Sequence, residues 1–305
     1  LINVNCRKPF RNFMNHPSNL RGIGFMLLAG FVFMLNDSFL KIILADLPPY
    51  EVLVMRGVFG TLIAGAFLTV MGELKQWRAA LNRFVFLRAG FETAAILTYI
   101  LALARAPIGD VTAIFQTTPL LVILGMVLIH REQASGLRLG LVVAGFAGAM
   151  LVAQPGQGTT SPFVMLAFVT AVFAALRDLA GRYIPRTVSP MLSTFVTIVV
   201  VCASSAVCGL LFETWTAPKA SAWGLSIGAG LFVMLGHFFT LLAYKNASAQ
   251  AVAPFYYSFM VFAVVMGFVI FGDVPNLLAF SGMAIIMGSG LAIGALERKR
   301  SGAAD

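Results

Sequence analysis

A carboxylate and an ammonium four residues apart, Asp37 and Lys41, stand inside an apolar run from Gly22 to Leu44. On a helix that spacing puts both on one face, where they partly neutralise each other. A charge at mid-membrane depth costs roughly 2.5–3.5 kcal/mol on insertion scales, so such groups mark pathways, relays or gates. The pattern recurs 141 residues later, where Asp178, Arg182 and Pro190 answer Asp37, Lys41 and Pro49. The recurrence predicts two ion pairs, Asp37–Lys41 and Asp178–Arg182, one in each half of an internal repeat. Placed at opposite depths, they would act as matched gates.

The other ionisable groups within apolar runs are Arg56, Arg88, Glu92, Arg177 and His237. Arg88, Glu92 and Tyr99 share one helical face, so Glu92 either lines a cavity or closes a local pair with Arg88. Thr112, Gln116 and Pro119 also share a face, with Thr117 and Thr118 beside them. Pro119 has no N–H to give the carbonyl one turn earlier, near Phe115, which predicts a kink or a free acceptor there. The run Pro254–Phe255–Tyr256–Tyr257 carries rings with hydroxyls suited to stacking on a flat solute. An interfacial aromatic belt is the alternative reading of that run. His237 is either a hydrogen-bonded core histidine or a proton-handling group. Cys202 and Cys208 read as small core residues, and the three cysteines have no metal-ligand spacing.

The elements that must hold these groups follow from composition. Apolar residues make up 59% of the 305 and charged residues 11%, against roughly 45–50% and about 25% in soluble domains. The apolar runs are about 20 residues long, enough for a helix to cross the hydrocarbon of a bilayer. Ten spans are predicted, at 22–45, 50–72, 84–104, 108–129, 137–154, 163–181, 190–212, 222–243, 250–271 and 276–295. The net charge of +9 suggests nucleic acid, but topology explains it better. With a cytoplasmic N-terminus, fifteen basic residues fall on the inner side, against only Arg105 and Lys219 outside. That bias predicts a multi-pass inner-membrane protein with both termini cytoplasmic. Five spans per half is an odd number, so the two halves enter from opposite faces and the repeat is inverted, which suits alternating access. The expected organisation is a leader (1–20, with the first methionine at 14 and no cleavable signal), repeats at 21–154 and 163–295, and a tail (296–305). Gly140–Ala144–Gly148 and Gly282–Ile286–Gly290–Gly294 read as small-residue packing faces.

No phosphate-cradling GxxxxGK[ST], GxSxG elbow or paired metal motif is present in the sequence, so neither an ATP-driven motor nor an enzyme is expected, and no cofactor or metal is implied. The segment Ala102–Leu103–Ala104–Arg105–Ala106–Pro107, then Ala113, Pro119–Leu120–Leu121, Glu132 and glycines 140, 145 and 148, resembles the EamA pattern, as does Pro49 followed by Arg56. The resemblance implies an all-α membrane protein of two inverted five-helix EamA repeats, in the drug/metabolite transporter superfamily. It covers about 20–295, although Lys245–Asn246–Ala247 lacks the proline and Asp273 stands where the first half has Glu132. It further implies a cavity between spans 1, 3, 4, 6, 8 and 9. A small-molecule solute would bind there on Tyr99, Gln116, Thr117, Tyr256 and Tyr257, with Glu92 and His237 as polar or proton-handling groups. In Phe33–Met34–Leu35–Asn36–Asp37 and Pro254–Phe255–Tyr256–Tyr257 the chain is similar to bacterial riboflavin transporters of this family, which implies riboflavin as the solute. An exporter of amino acids or related metabolites is the main rival.

Overall fold

The computed structural model describes residues 17–130, 135–154, 163–185, 187–247 and 249–303. Ten helices within them are long and apolar enough to cross a membrane. They are α1 (Leu20–Ile43), α2 (Pro49–Val70), α3 (Arg83–Arg105), α4 (Ile108–Leu128), α5 (Gly136–Ala153), α6 (Val164–Gly181), α7 (Pro190–Phe212), α8 (Ala220–Asn246), α9 (Ala253–Phe271) and α10 (Leu277–Leu296). Among the described residues there is no strand. This is what a bilayer demands, because without water every backbone group must be paired inside its own helix. The ten predicted spans agree with these to within a few residues. We call the end where α1 starts the near end, and the end where it finishes the far end.

Helix starts are set by local sequence. Pro49 and Pro190 occupy the first turns of α2 and α7, where a missing N–H has no partner to lose. Asn82 and Ser189 cap α3 and α7 by accepting from Phe84 N at 2.9 Å and Met191 N at 3.2 Å. α4 is interrupted, with helix over Ile108–Phe115 and again from Thr118. Pro119 cannot donate to Phe115 O, so the Thr118 hydroxyl takes that carbonyl at 2.6 Å, and the Thr117 hydroxyl takes Ile114 O at 2.7 Å. α9 opens with a 3₁₀ turn over Ala253–Tyr257 and closes with a wide turn over Gly267–Phe271. It ends at Gly272, whose φ of 71° is left-handed and open to glycine at no steric cost.

The two halves pack as a symmetric pair. α1 lies along α8, and its repeat mate α6 lies along α3. α1 meets α9 as α6 meets α4, and α2 meets α8 as α7 meets α3. α5–α10 and α2–α7 pair helices that are each other's mates. Glycine makes the closest crossing possible. A Cβ on Gly148 of α5 would stand 2.7 Å from Gly282 O of α10, so these backbones touch, as small-residue faces allow.

Candidate functional site

The two halves enclose a cavity of about 870 Å³. α1, α3, α4, α6, α8 and α9 line it, as the resemblance implied, joined by Arg56 of α2 and by Gly290 and Gly294 of α10. Gly290 is therefore more than packing. The Tyr257 hydroxyl lies against its Cα face, so no side chain fits between them.

One wall is aromatic. Tyr99 and Phe115 meet edge to face at 5.8 Å, Tyr256 lies 4.6 Å from Phe259, and Phe33 lies 5.7 Å from Phe259. His237 stands edge-on to Phe33 at 5.1 Å. The remaining wall is charged and polar. Arg177 of α6 reaches Glu92 of α3 at 2.6 Å and Asp178 at 2.8 Å. Glu92 thus pairs across the two repeats, while Arg88 donates to Thr197 at 3.1 Å. The local Arg88–Glu92 alternative does not form as a hydrogen-bonded pair. Arg56 lies where the charges of both Asp37 and Glu92 act on it.

The two predicted gating pairs require correction. Asp37 and Lys41 share a helix face but do not pair. Asp37 accepts from Asn36 Nδ2 at 2.8 Å and from the Tyr99 hydroxyl at 2.7 Å, and it lines the cavity. Lys41 donates instead to Ala106 O at 2.6 Å, approaches Asp273 at 3.6 Å and lies over the Phe271 ring at 5.1 Å. In the second half Asp178 is held by Arg177, and Arg182 donates to Met126 Sδ at 3.0 Å. The reason is physical. A carboxylate facing a cavity is best served by the donors nearest its two oxygens, and a lysine near a helix end finds acceptors in the next connection. Asp178 also lines the cavity, so both carboxylates belong to one chamber.

Of the other predicted binding residues, Glu92, Tyr99, Gln116, His237, Tyr256 and Tyr257 all line the cavity. Thr117 does not. Its hydroxyl is spent on Ile114 O and the residue is fully buried, a consequence of the Pro119 break. Two features were not expected from the sequence: Asn36 lines the cavity, and Lys41–Asp273 is a contact between the halves. A buried amide beside an intramembrane carboxylate was the available signal for the first. Glu132 lies outside the described residues.

The cavity reaches the near end at Asp178 and Tyr244, which are 44% and 47% exposed. The far end is sealed. Beneath Lys41–Asp273 lies an apolar plug that includes Leu40, Ile43, Leu53, Ile100, Leu103 and Ile108. Beside it the Glu213 carboxylate accepts from Tyr50 N at 3.0 Å and Glu51 N at 3.1 Å, capping α2 from the other half. Glu51 returns the contact by accepting from Thr216 N at 3.1 Å.

The chain is similar to known proteins. A riboflavin transporter of Brucella anthropi is 28% identical over 209 residues, covering 67% of this chain and 74% of its own. A pseudopaline exporter of Pseudomonas aeruginosa is 25% identical over 292 residues, covering 92% and 97%. A protein of known crystal structure superposes with a TM-score of 0.62 at 19% identity, over 93% of this chain and 98% of that one, which shows a shared fold. The EamA-like transporter family matches twice, over residues 20–154 and 161–294. With a paired cavity, ten apolar helices and two full matches, the chain belongs to the EamA-like transporter family: a multi-pass membrane carrier of a small-molecule solute.

Proposed function

We infer that this carrier takes up riboflavin across the bacterial inner membrane by alternating access. One observation carries the reading: a chamber with an aromatic wall and buried amides, closed at one end and reaching the other. Its volume falls in the roughly 300–1,000 Å³ range of sites that enclose drug-sized ligands. A flat, uncharged, hydrogen-bonding ring system suits Tyr99, Phe115 and Tyr256 as stacking partners, with Gln116, His237 and Tyr257 at its edges. Basic residues crowd the connections at the near end, so the near end is cytoplasmic by the positive-inside rule. The chamber then faces the cytoplasm, and Lys41–Asp273 closes its outer side. The test is uptake of labelled riboflavin by a riboflavin-auxotrophic bacterium expressing this chain. Uptake no greater than in the empty-vector strain sinks the reading.

A second reading is export of amino acids or related metabolites. The charged lining favours it: Arg56, Arg88 and Arg177 against Asp37, Glu92 and Asp178 are equal in number and would suit a zwitterion. Overexpression that confers resistance to toxic amino-acid analogues, without flavin uptake, selects this reading.

A further inference from the structure

Two amide oxygens in the chamber wall have no protein partner, Asn36 Oδ1 on α1 and Gln116 Oε1 on α4. Their neighbours fix which atom is which. Asn36 faces Asp37 Oδ1 at 2.8 Å and Gln116 faces Tyr256 O at 2.9 Å. Both neighbours only accept, so each amide must present its NH₂ there and leave its oxygen over. Asn36 and Gln116 are 2% and 0% exposed. A buried acceptor left unmet is rare in folded proteins and calls for a reason.

The surroundings supply one. Asp37 uses one oxygen on the Asn36 amide and the other on the Tyr99 hydroxyl, so it is a positioning residue that locks the amide against rotation. Gln116 sits at the break in α4, directly before the Thr117–Thr118 hydroxyls that repair it. The same break anchors its amide to α9 through Tyr256 O. Two unmet acceptors thus belong to one chamber lining, on α1 and on α4, together with the residues of the aromatic wall. Side-chain shifts of rotamer size, common when ligands bind, bring a seated ring's edge to them.

We propose that Asn36 Oδ1 and Gln116 Oε1 form an acceptor pair that selects planar solutes carrying a ring N–H donor. The proposal rests on the riboflavin reading, because the flavin ring has one such edge, an imide N–H. Recognition by a donor-demanding site discriminates strongly, since a ligand lacking the donor leaves the acceptors unpaired.

The test uses the full chain, purified in lipid nanodiscs, with flavin fluorescence quenching as the readout. Riboflavin and its N3-methyl derivative differ by that single donor. Wild-type protein should bind riboflavin about tenfold tighter or more, one decade corresponding to ~1.4 kcal/mol. Asn36→Leu and Gln116→Leu should each weaken riboflavin and bring the ratio of the two dissociation constants toward one. Equal binding of both flavins by wild-type protein overturns the acceptor pair and leaves the carrier reading intact. A ratio that survives in both leucine variants shows steric exclusion of the methyl group and overturns it as well. Failure of riboflavin to bind the wild-type protein overturns the riboflavin reading, and this inference with it. The wild-type comparison stands even where a variant fails to fold.

Discussion

Removing the charge of Asp273 should loosen the far end without touching the chamber. Lys41 Nζ lies 3.6 Å from Asp273, with the side chains 17% and 33% exposed. At an effective dielectric of ~20 the raw attraction is about 4–5 kcal/mol. Desolvation of both groups and the partial exposure of Asp273 bring the net value to about 1–2 kcal/mol. Asp273→Asn should therefore raise the far-end-open population by about 5- to 30-fold. Lys41→Met removes more. It also deletes the 2.6 Å bond to Ala106 O, a charged hydrogen bond worth about 1.5–3 kcal/mol. It further leaves Asp273 facing Asp110, whose charge also acts on Lys41. Loss of that shared cation should open the far end by about 100-fold or more. Combining Lys41→Met with Asp273→Asn relieves the carboxylate repulsion, so the double variant should be less open than Lys41→Met alone. The assay is labelling of an Ile100→Cys reporter, 1% exposed under the latch, in a background with Cys6, Cys202 and Cys208 replaced by serine. A membrane-impermeant maleimide is applied from each side of oriented vesicles. Wild-type labelling rates in Asp273→Asn, or a double variant at least as open as Lys41→Met, would refute the latch.

Further outcomes follow from other contacts. Glu92→Gln leaves Arg177, whose side chain is 14% exposed, with Asp178 as its remaining carboxylate, and should destabilise the protein by about 1.5–3 kcal/mol, the worth of one charged hydrogen bond, read as a fall in its thermal unfolding midpoint; an unchanged midpoint would show that the pair carries no stability. Gly236→Ala places a Cβ 2.8 Å from three carbons of the Phe33 ring. It should displace Phe33 from the chamber wall and weaken solute binding while leaving expression intact; unaltered affinity would remove Phe33 from the wall's function. Gly148→Leu forces α5 from α10 at the Gly282 carbonyl. The strain of overpacking, about 1–3 kcal/mol or more, should lower the yield of folded protein in detergent, whereas Gly140→Leu, which meets open space, should not. Arg182→Met should shift reporter labelling opposite to Lys41→Met, because Arg182 is its repeat mate at the other end; a shift in the same direction counts against symmetric gating.

The spans and the repeat were legible in the sequence because a bilayer imposes them segment by segment. Each run of about 20 apolar residues must be a helix, whatever its neighbours do. Contacts between helices carry no such local signature. The i, i+4 spacing of Asp37 and Lys41 describes one isolated helix, whereas Lys41 finds Ala106 O and Asp273 in the connections that follow α3 and α9. Glu92 shows the same limit, since Arg88 is its neighbour in sequence but Arg177 is its partner in space. Thr117 was readable in principle. A hydroxyl two residues before an intramembrane proline stands beside the carbonyls that the break leaves unpaired, and so is drawn away from any solute. Gly290 was not readable, because a small-residue stripe looks the same whether it faces a helix or a tyrosine hydroxyl.

The asymmetry between the two ends is what a carrier built from inverted repeats must display in any one state. Two chemically similar halves related by a two-fold axis would, in identical conformations, be open at both ends or at neither. The sequence mates of the far-end latch are Arg182 for Lys41 and Glu132 for Asp273. At the far end Lys41 is engaged with Asp273, Ala106 O and the Phe271 ring. At the near end Arg182 is exposed and rests on a methionine sulfur, a weak acceptor for a guanidinium. The same basic position is thus satisfied in one half and under-used in the other. Exchange of those roles, with Lys41 released as Arg182 gains a carboxylate, would conserve the number of ion pairs while moving the opening from one face to the other. The energy difference between the two states then stays small, which a reversible carrier needs, and neither end has to break a contact that the other does not make.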